Sequence, residues 1–126
     1  MRSIGARSKR AATPSRPQPR NEAERRAARW YRLRGYRILG TNVWLVGNEL
    51  DVVARRGRTI VFCEVKSKVG EAFGDPAEML TAEKARRVRR AAEAWLARHP
   101  ECAPCEVRFD LVAVRRGRLE CVRAAF

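Results

Sequence analysis

Residues 47–66 constrain the fold of this chain more than any other stretch. They read GNELDVVARRGRTIVFCEVK, two runs rich in β-branched residues joined by a basic turn at residues 55–58. This pattern predicts a hairpin of two adjacent strands. Residues 60–63 carry no polar side chain, which is typical of a strand that is covered on both faces.

Charged residues interrupt both of these strands. Glu49 and Asp51 lie two apart on the first strand and therefore share a face, and Glu64 and Lys66 share a face of the second. A lone Glu-x-Lys is usually a solvated or paired couple at a strand end. Three neighbouring carboxylates repel one another unless a cation lies among them, and hard oxygens suit Mg²⁺ or Mn²⁺. The hairpin is therefore a candidate metal site.

The same residues resemble the Asp…Glu-x-Lys core of the PD-(D/E)xK nuclease superfamily. More narrowly, the chain resembles the YraN family of small, uncharacterised endonuclease-like proteins over about residues 21 to 126. The matching stretches follow that family's order and spacing: residues 34–39 (RGYRIL), Asn42, 49–51 (ELD), 61–66 (VFCEVK), 73–74 (FG), 76–78 (PAE), Lys84 and 108–110 (RFD). The departures are Asn48, where a glycine is usual, and Cys63, where a valine is usual.

The resemblance implies metal-dependent hydrolysis of DNA phosphodiester bonds, with branched recombination or repair intermediates among the candidate substrates. Asp51, Glu64 and the main-chain carbonyl of Val65 would hold Mg²⁺ or Mn²⁺. Lys66 would orient the attacking water and stabilise the charged transition state. Glu49 would be a supporting or second-metal carboxylate.

Residues 21–34 predict the first helix, with Asn21 as N-cap and Gly35 after its end. Glu22 and Glu24 fall in its first turn, where acidic groups favour the helix dipole. Glu24 also occupies the place of an acidic residue in the first helix of the YraN family, which makes it a further catalytic candidate. A surface glutamate that complements the dipole is the equal alternative.

Residues 82–98 predict the second long helix, whose inward stripe is Val88, Ala91 or Ala92, and Trp95. Residues 75–78 (DPAE) predict a helix start ahead of it. The remaining surface of the long helix is crowded with basic side chains, and we expect it to contact nucleic acid: Lys84, Arg86, Arg87, Arg89 and Arg90.

Further strands are predicted at residues 36–46, 106–114 and 118–122, with Asp110 paired to an arginine. The order helix, three strands, helix, two strands favours an α/β sandwich with a mixed central sheet. This agrees with the restriction-endonuclease-like fold that the resemblance implies.

The chain has four cysteines, and two of them, Cys102 and Cys105, follow His99 at a spacing typical of zinc sites. A single Cys-x-x-Cys is a weak signal, so we expect reduced thiols without zinc. Cys63 and Cys121 fall in predicted strands, where small apolar residues are usual.

The net charge of +14 implies a polyanionic partner, most simply nucleic acid, and we expect DNA. Residues 1–20 contribute six of these charges with no acid and three prolines, which predicts a disordered basic arm before a nuclease domain at 21–126. No apolar run is long enough to cross a bilayer, so we expect a cytoplasmic protein that does not associate with membranes.

Charge alone also fits a basic nucleic-acid-binding module without turnover. The acid set favours an enzyme, because clustered carboxylates repel a phosphate backbone and give simple binding no advantage. Small nucleases of this fold often act as dimers, so a homodimer stays open by analogy.

Overall fold

The computed structural model describes residues 21–68 and 80–126. The elements follow the predicted order: α1 (Glu22–Leu33), β1 (Arg37–Leu45), β2 (Asn48–Arg56), β3 (Thr59–Lys68), α2 (Ala82–Ala97), a 3₁₀ turn (Pro100–Cys102), β4 (Glu106–Arg115) and β5 (Arg118–Val122). The predicted basic arm at 1–20 and the predicted helix start at 75–78 lie outside the described residues. No helix in the described ranges is long and apolar enough to span a membrane.

The five strands form one mixed sheet in the order β1-β2-β3-β4-β5. Neighbours pair antiparallel except β3 and β4, which pair in parallel from Thr59–Glu106 to Lys68–Arg115. A parallel pair needs a long crossover connection, and α2 lies within this one. The predicted mixed sheet is confirmed.

The two helices cover opposite faces of the sheet. Side chains of α1 pack with Val52 and Val61, whereas those of α2 pack with Val53 and Phe62. Consecutive strand residues thus enter different cores, as side-chain alternation requires. Residues 60–63 are buried on both faces, which explains why none is polar. The architecture is an α/β sandwich consistent with the restriction-endonuclease-like fold.

Capping residues fix both helix starts. The Asn21 side chain accepts a hydrogen bond from the Glu24 amide at 2.9 Å, and Thr81 Oγ1 accepts one from the Lys84 amide at 3.1 Å. Gly35 adopts a φ of +88°, which a glycine allows without strain, and turns the chain from α1 into β1. The predicted inward stripe of α2 is confirmed, since its four members are buried: Val88, Ala91, Ala92 and Trp95.

A fork opens between β2 and β3. Their pairing ends at Val52 and Cys63, while β2 continues along β1 to Asn48 and β3 continues along β4 to Lys68. The next residues on the two arms are Asp51 and Glu64. Backbone groups at this point lose their strand partner and need another one, because buried amides are almost always hydrogen-bonded.

Candidate active site

Asp51 bridges the fork between β2 and β3. Its Oδ2 accepts a hydrogen bond from the Val65 amide at 2.8 Å. The side chain thereby replaces the strand partner that β3 has lost at this position. The bond also fixes the Asp51 carboxylate against the Glu64–Val65 backbone, so the two predicted ligand-bearing segments meet as the resemblance implies.

Three carboxylates converge on one side of the fork. Ligand oxygens of Glu24, Glu49 and Asp51 all lie within 4.8 Å of one another, the one group of three acidic, histidine or cysteine side chains so placed in residues 21–68 and 80–126. Asn42 Nδ2 donates to Glu24 Oε1 at 3.0 Å. Glu24 is buried, which does not fit the alternative of a surface glutamate at a helix end.

Two ammonium groups face the fourth carboxylate. Glu64 Oε2 lies 3.6 Å from Lys66 Nζ and 3.8 Å from Lys84 Nζ. The Lys84 amine also donates to Asn48 Oδ1 at 3.1 Å. Glu64 is therefore partly neutralised from both sides, and the structure places it next to the group of three rather than within it.

Lys84 differs from the other basic residues of α2. We expected it on the exposed face with Arg86, Arg87, Arg89 and Arg90, but its amine reaches into the site while those four arginines are exposed. Lys84 lies four residues before the buried Val88 and therefore on the inward stripe of the helix. That spacing was the signal that could have separated it from its neighbours.

Two carboxyl groups of the site, Asp51 and Glu64, have raised pKa values. Burial, and next the negative charge of Glu64, raise the pKa of Asp51 to about 7 against the lowering effect of the Val65 amide. Burial also raises the pKa of Glu64, against the lowering effect of Lys84 and Lys66. Both carboxyl groups thus hold protons more tightly than in water, as expected for acids that are removed from solvent.

These residues fit a divalent cation such as Mg²⁺ or Mn²⁺. The donors are carboxylate oxygens from α1, β2 and β3, which are the hard ligands that such ions prefer. A cation there would relieve the repulsion that raises the pKa of Asp51. The described site therefore has the oxygen donors and the excess of negative charge that a metal centre requires.

His99 and Cys102 make their contacts outside this site. The His99 ring stacks on Trp95 with 3.6 Å between centroids, and its Nδ1 lies 2.7 Å from the Trp95 carbonyl oxygen. Cys102 is buried and its Sγ accepts a hydrogen bond from Arg55 Nη1 at 3.7 Å. The absence of zinc at these residues stays a prediction.

Two asparagines were missed as parts of the site. Asn42, which belongs to the family-like pattern, holds Glu24 from a backbone with a φ of +53°. Asn48, which departs from that pattern, is buried and links Lys84 to the Glu49 carbonyl, to which its Nδ2 donates at 3.1 Å. An asparagine where a glycine is usual was the signal at position 48.

Comparison with known proteins yields a consistent set of relatives. Residues 23–114 match the model of the family described as Uncharacterised protein family UPF0102. A UPF0102 protein of Frankia alni is 47% identical over 97 residues, covering 73% of this chain and 80% of the relative. One of Beutenbergia cavernae is 46% identical over 100 residues, covering 79% and 84%. One of Shewanella amazonensis is 41% identical over 108 residues, covering 86% and 98%.

Proposed function

Because the chain belongs to the UPF0102 family, whose description states no activity, we propose its function from the site: a metal-dependent endonuclease of the PD-(D/E)xK superfamily that hydrolyses phosphodiester bonds of DNA. The observation that carries this proposal is the fork between β2 and β3. It brings Asp51, Glu64 and Lys66 together, with Asp51 fixed on the Val65 amide at 2.8 Å.

The metal ligands in this proposal are Asp51, Glu64 and the main-chain carbonyl of Val65. Glu24 and Glu49 lie beside them and would support the same ion or a second one. When bound, Mg²⁺ or Mn²⁺ lowers the pKa of water and offsets charge on the scissile phosphate. The cost of keeping Asp51 charged while it is buried beside the negative charge of Glu64 is the physical reason to expect such an ion here.

Lys66 is the residue that we assign to the reacting groups. Its Nζ lies 3.6 Å from Glu64 and its side chain is partly exposed, so it can contact a phosphate and still be oriented by that carboxylate. In this position an ammonium group stabilises the developing negative charge and orients the attacking water. Lys84 supplies a second ammonium group on the same carboxylate, 3.8 Å away, and keeps Glu64 in place.

The DNA-binding surface in this proposal continues from Lys84 along α2. Among the described residues, one of the four exposed arginines of that helix forms an ion pair, Arg87 with Glu83 at 3.8 Å. They can contact backbone phosphates without reading bases. The net charge of +14 supports the same partner.

The second candidate is a binding module without turnover. It draws support from Glu64, whose charge is already partly balanced by Lys66 and Lys84. In that case the fork would be held by internal ion pairs and would need no metal. Cleavage assays separate the two functions directly.

The test is metal-dependent cleavage of a panel of linear, flapped and branched DNAs, with metal affinity and DNA affinity measured in parallel. We expect Asp51→Asn to lose metal binding and cleavage while it keeps DNA binding. Lys66→Ala should keep the metal and lose about 10²-fold or more in cleavage rate.

Glu24→Gln has a matched control in Glu22→Gln, an exposed glutamate of the same helical turn. We expect the first variant to cut more slowly and the second to match the wild type. Should the wild type neither bind metal nor cut any DNA or RNA while it still binds DNA, the binding module replaces the nuclease.

A further inference from the structure

Trp44 exposes an indole ring at the end of the β1–β2 hairpin. Its relative exposure is 64%, whereas Trp95 is buried and Trp30 is partly covered. No ring or cation of the described residues stacks on Trp44, unlike Trp30, over which Arg34 lies at 3.8 Å. A single exposed apolar side chain is ordinary on a protein surface. The position of this side chain and the hairpin that carries it set it apart.

Trp44 lies beside the acid site, the group of three carboxylates formed by Glu24, Glu49 and Asp51. In the β1–β2 ladder it is the direct partner of Glu49, one of the three converging carboxylates. Directly opposed residues of an antiparallel pair project from the same face with Cβ atoms about 4.5–5.5 Å apart. The indole therefore stands next to the place where the scissile phosphate would lie.

The hairpin that carries Trp44 is held in one geometry. Val46 and Gly47 both have positive φ values, +44° and +75°, as in the tight two-residue turns that connect antiparallel strands. Below the turn, buried Asn48 accepts a hydrogen bond from Lys84 Nζ of α2 at 3.1 Å. A tryptophan side chain has only two rotatable bonds, so on such a hairpin it loses little conformational entropy when a flat ligand stacks on it.

We propose that Trp44 is a stacking platform for an unpaired nucleobase of the DNA held at the acid site. The inference deepens the proposed function and rests on it for the position of the phosphate. Stacking on an aromatic ring needs a base face that is free, and bases inside a duplex have both faces occupied by their neighbours. The preferred substrate is therefore DNA with a single-stranded segment at the cleavage point, such as a flap, a gap or an open junction.

Binding measurements in EDTA isolate this platform from catalysis. The probes are a duplex with a 3′ single-stranded flap and a blunt duplex of the same length, each bound by the full chain. We expect Trp44→Ala to lose about tenfold in affinity for the flapped DNA, in the range for one lost base–aromatic stack, and to bind the blunt duplex as the wild type does.

Two further variants serve as controls. Trp44→Phe keeps a ring and should retain most of the preference for the flap. Val46→Ala removes an exposed apolar side chain from the same turn, 66% exposed, and should change neither affinity. Flapped DNA should also quench the tryptophan fluorescence of the wild type but not that of Trp44→Ala.

Each outcome decides the proposal. Equal affinity of Trp44→Ala and wild type for the flapped DNA overturns it, as does an equal loss on both DNAs. A wild-type dimer that dissociates in Trp44→Ala, seen by sedimentation, would assign the ring to a second copy of the chain instead. If the wild type prefers flaps through Trp44 but cuts no DNA with any metal, the platform stands and the nuclease proposal fails.

Discussion

Two buried carboxylate centres lie in the same sheet and differ in how their charge is met. Asp110, fully buried on β4, accepts hydrogen bonds from the Tyr31 hydroxyl at 2.6 Å, from Arg108 Nε and Nη2 at 2.9 Å each, and from the Ala124 amide at 3.0 Å. Asp51, at the fork, receives one from the Val65 amide within the described residues.

The difference separates a carboxylate whose charge is satisfied within the fold from one whose charge is not. Asp110 accepts hydrogen bonds from a hydroxyl, a guanidinium and a backbone amide, so its charge is satisfied within the fold. Asp51 shares its surroundings with Glu24, Glu49 and Glu64, and burial raises its pKa to about 7. Buried charges that the fold leaves under-compensated are typical of sites where an external charge binds. The contrast therefore predicts opposite responses to mutation.

The largest effect should come from breaking the satisfied centre. Arg108→Met removes the cation that pairs with Asp110 at 2.9 Å and leaves a fully buried carboxylate without it. We expect the free energy of unfolding to fall by about 3–5 kcal/mol in urea denaturation. Arg25→Met is the matched control, because it breaks an exposed pair with Glu22 and should cost less than about 1 kcal/mol. Similar losses in the two variants would contradict the assigned role of Asp110.

The next effect has the opposite sign. Asp51→Asn keeps an acceptor for the Val65 amide but removes a charge. In EDTA at pH 8 we therefore expect its free energy of unfolding to exceed that of the wild type by roughly 1–3 kcal/mol. The raised pKa means that the folded state binds the extra proton. The stability that the wild type gains from this proton is fully present below about pH 4 and is lost as the pH rises through about 7.

The stability gap between Asp51→Asn and the wild type should therefore widen from pH 5 to pH 8. Mg²⁺ at saturating concentration should narrow it, because the ion stabilises the folded wild type alone. Thermal denaturation across this pH range, with and without metal, measures both trends. A gap that stays constant with pH would show that Asp51 is not the group whose charge is under-compensated.

The smallest effect should distinguish the two kinds of basic residue on α2. Lys84→Met removes an ammonium group 3.8 Å from buried Glu64 and should lower the free energy of unfolding by about 1 kcal/mol at pH 8. The loss should shrink as the pH falls, because the pKa of Glu64 is raised and a protonated carboxyl needs no cation. Arg86→Met, on the exposed face, should stay within about 0.5 kcal/mol. Equal losses would place Lys84 on the solvent-exposed face after all.

Local patterns predicted the elements of the fold well. Turn residues, capping residues and the apolar run at 60–63 indicated the hairpin, both helices and a sheet covered on two faces, because each depends on neighbours within a few positions. The pairing of Asp110 with an arginine was also local, since Arg108 is its neighbour on the same strand face. The relatives confirm the narrower resemblance, membership of the uncharacterised family UPF0102, whereas the nuclease superfamily stays a proposal.

Long-range contacts explain what the sequence could not predict. The Tyr31 hydroxyl and the Ala124 amide reach Asp110 across 79 and 14 positions of chain, and Lys84 reaches Asn48 across 36. Sequence periodicity does not predict such long-range contacts, because they depend on how the helices pack on the sheet. The side chain of Glu24 illustrates the same limit, because its place in the first helical turn fitted a surface role as well as a buried one.

The parallel pairing of β3 with β4 has a consequence for the folding of the nascent chain. Strands β1, β2 and β3 are joined by short turns and can pair as soon as residue 68 has left the ribosome, whereas β4 begins at Glu106. Contacts that close long loops form late. Until then the apolar run at 60–63 lies on an open strand edge, where exposed backbone groups favour pairing with other chains. Slow translation between the codons of residues 68 and 106 would lengthen that exposure and raise the risk of aggregation.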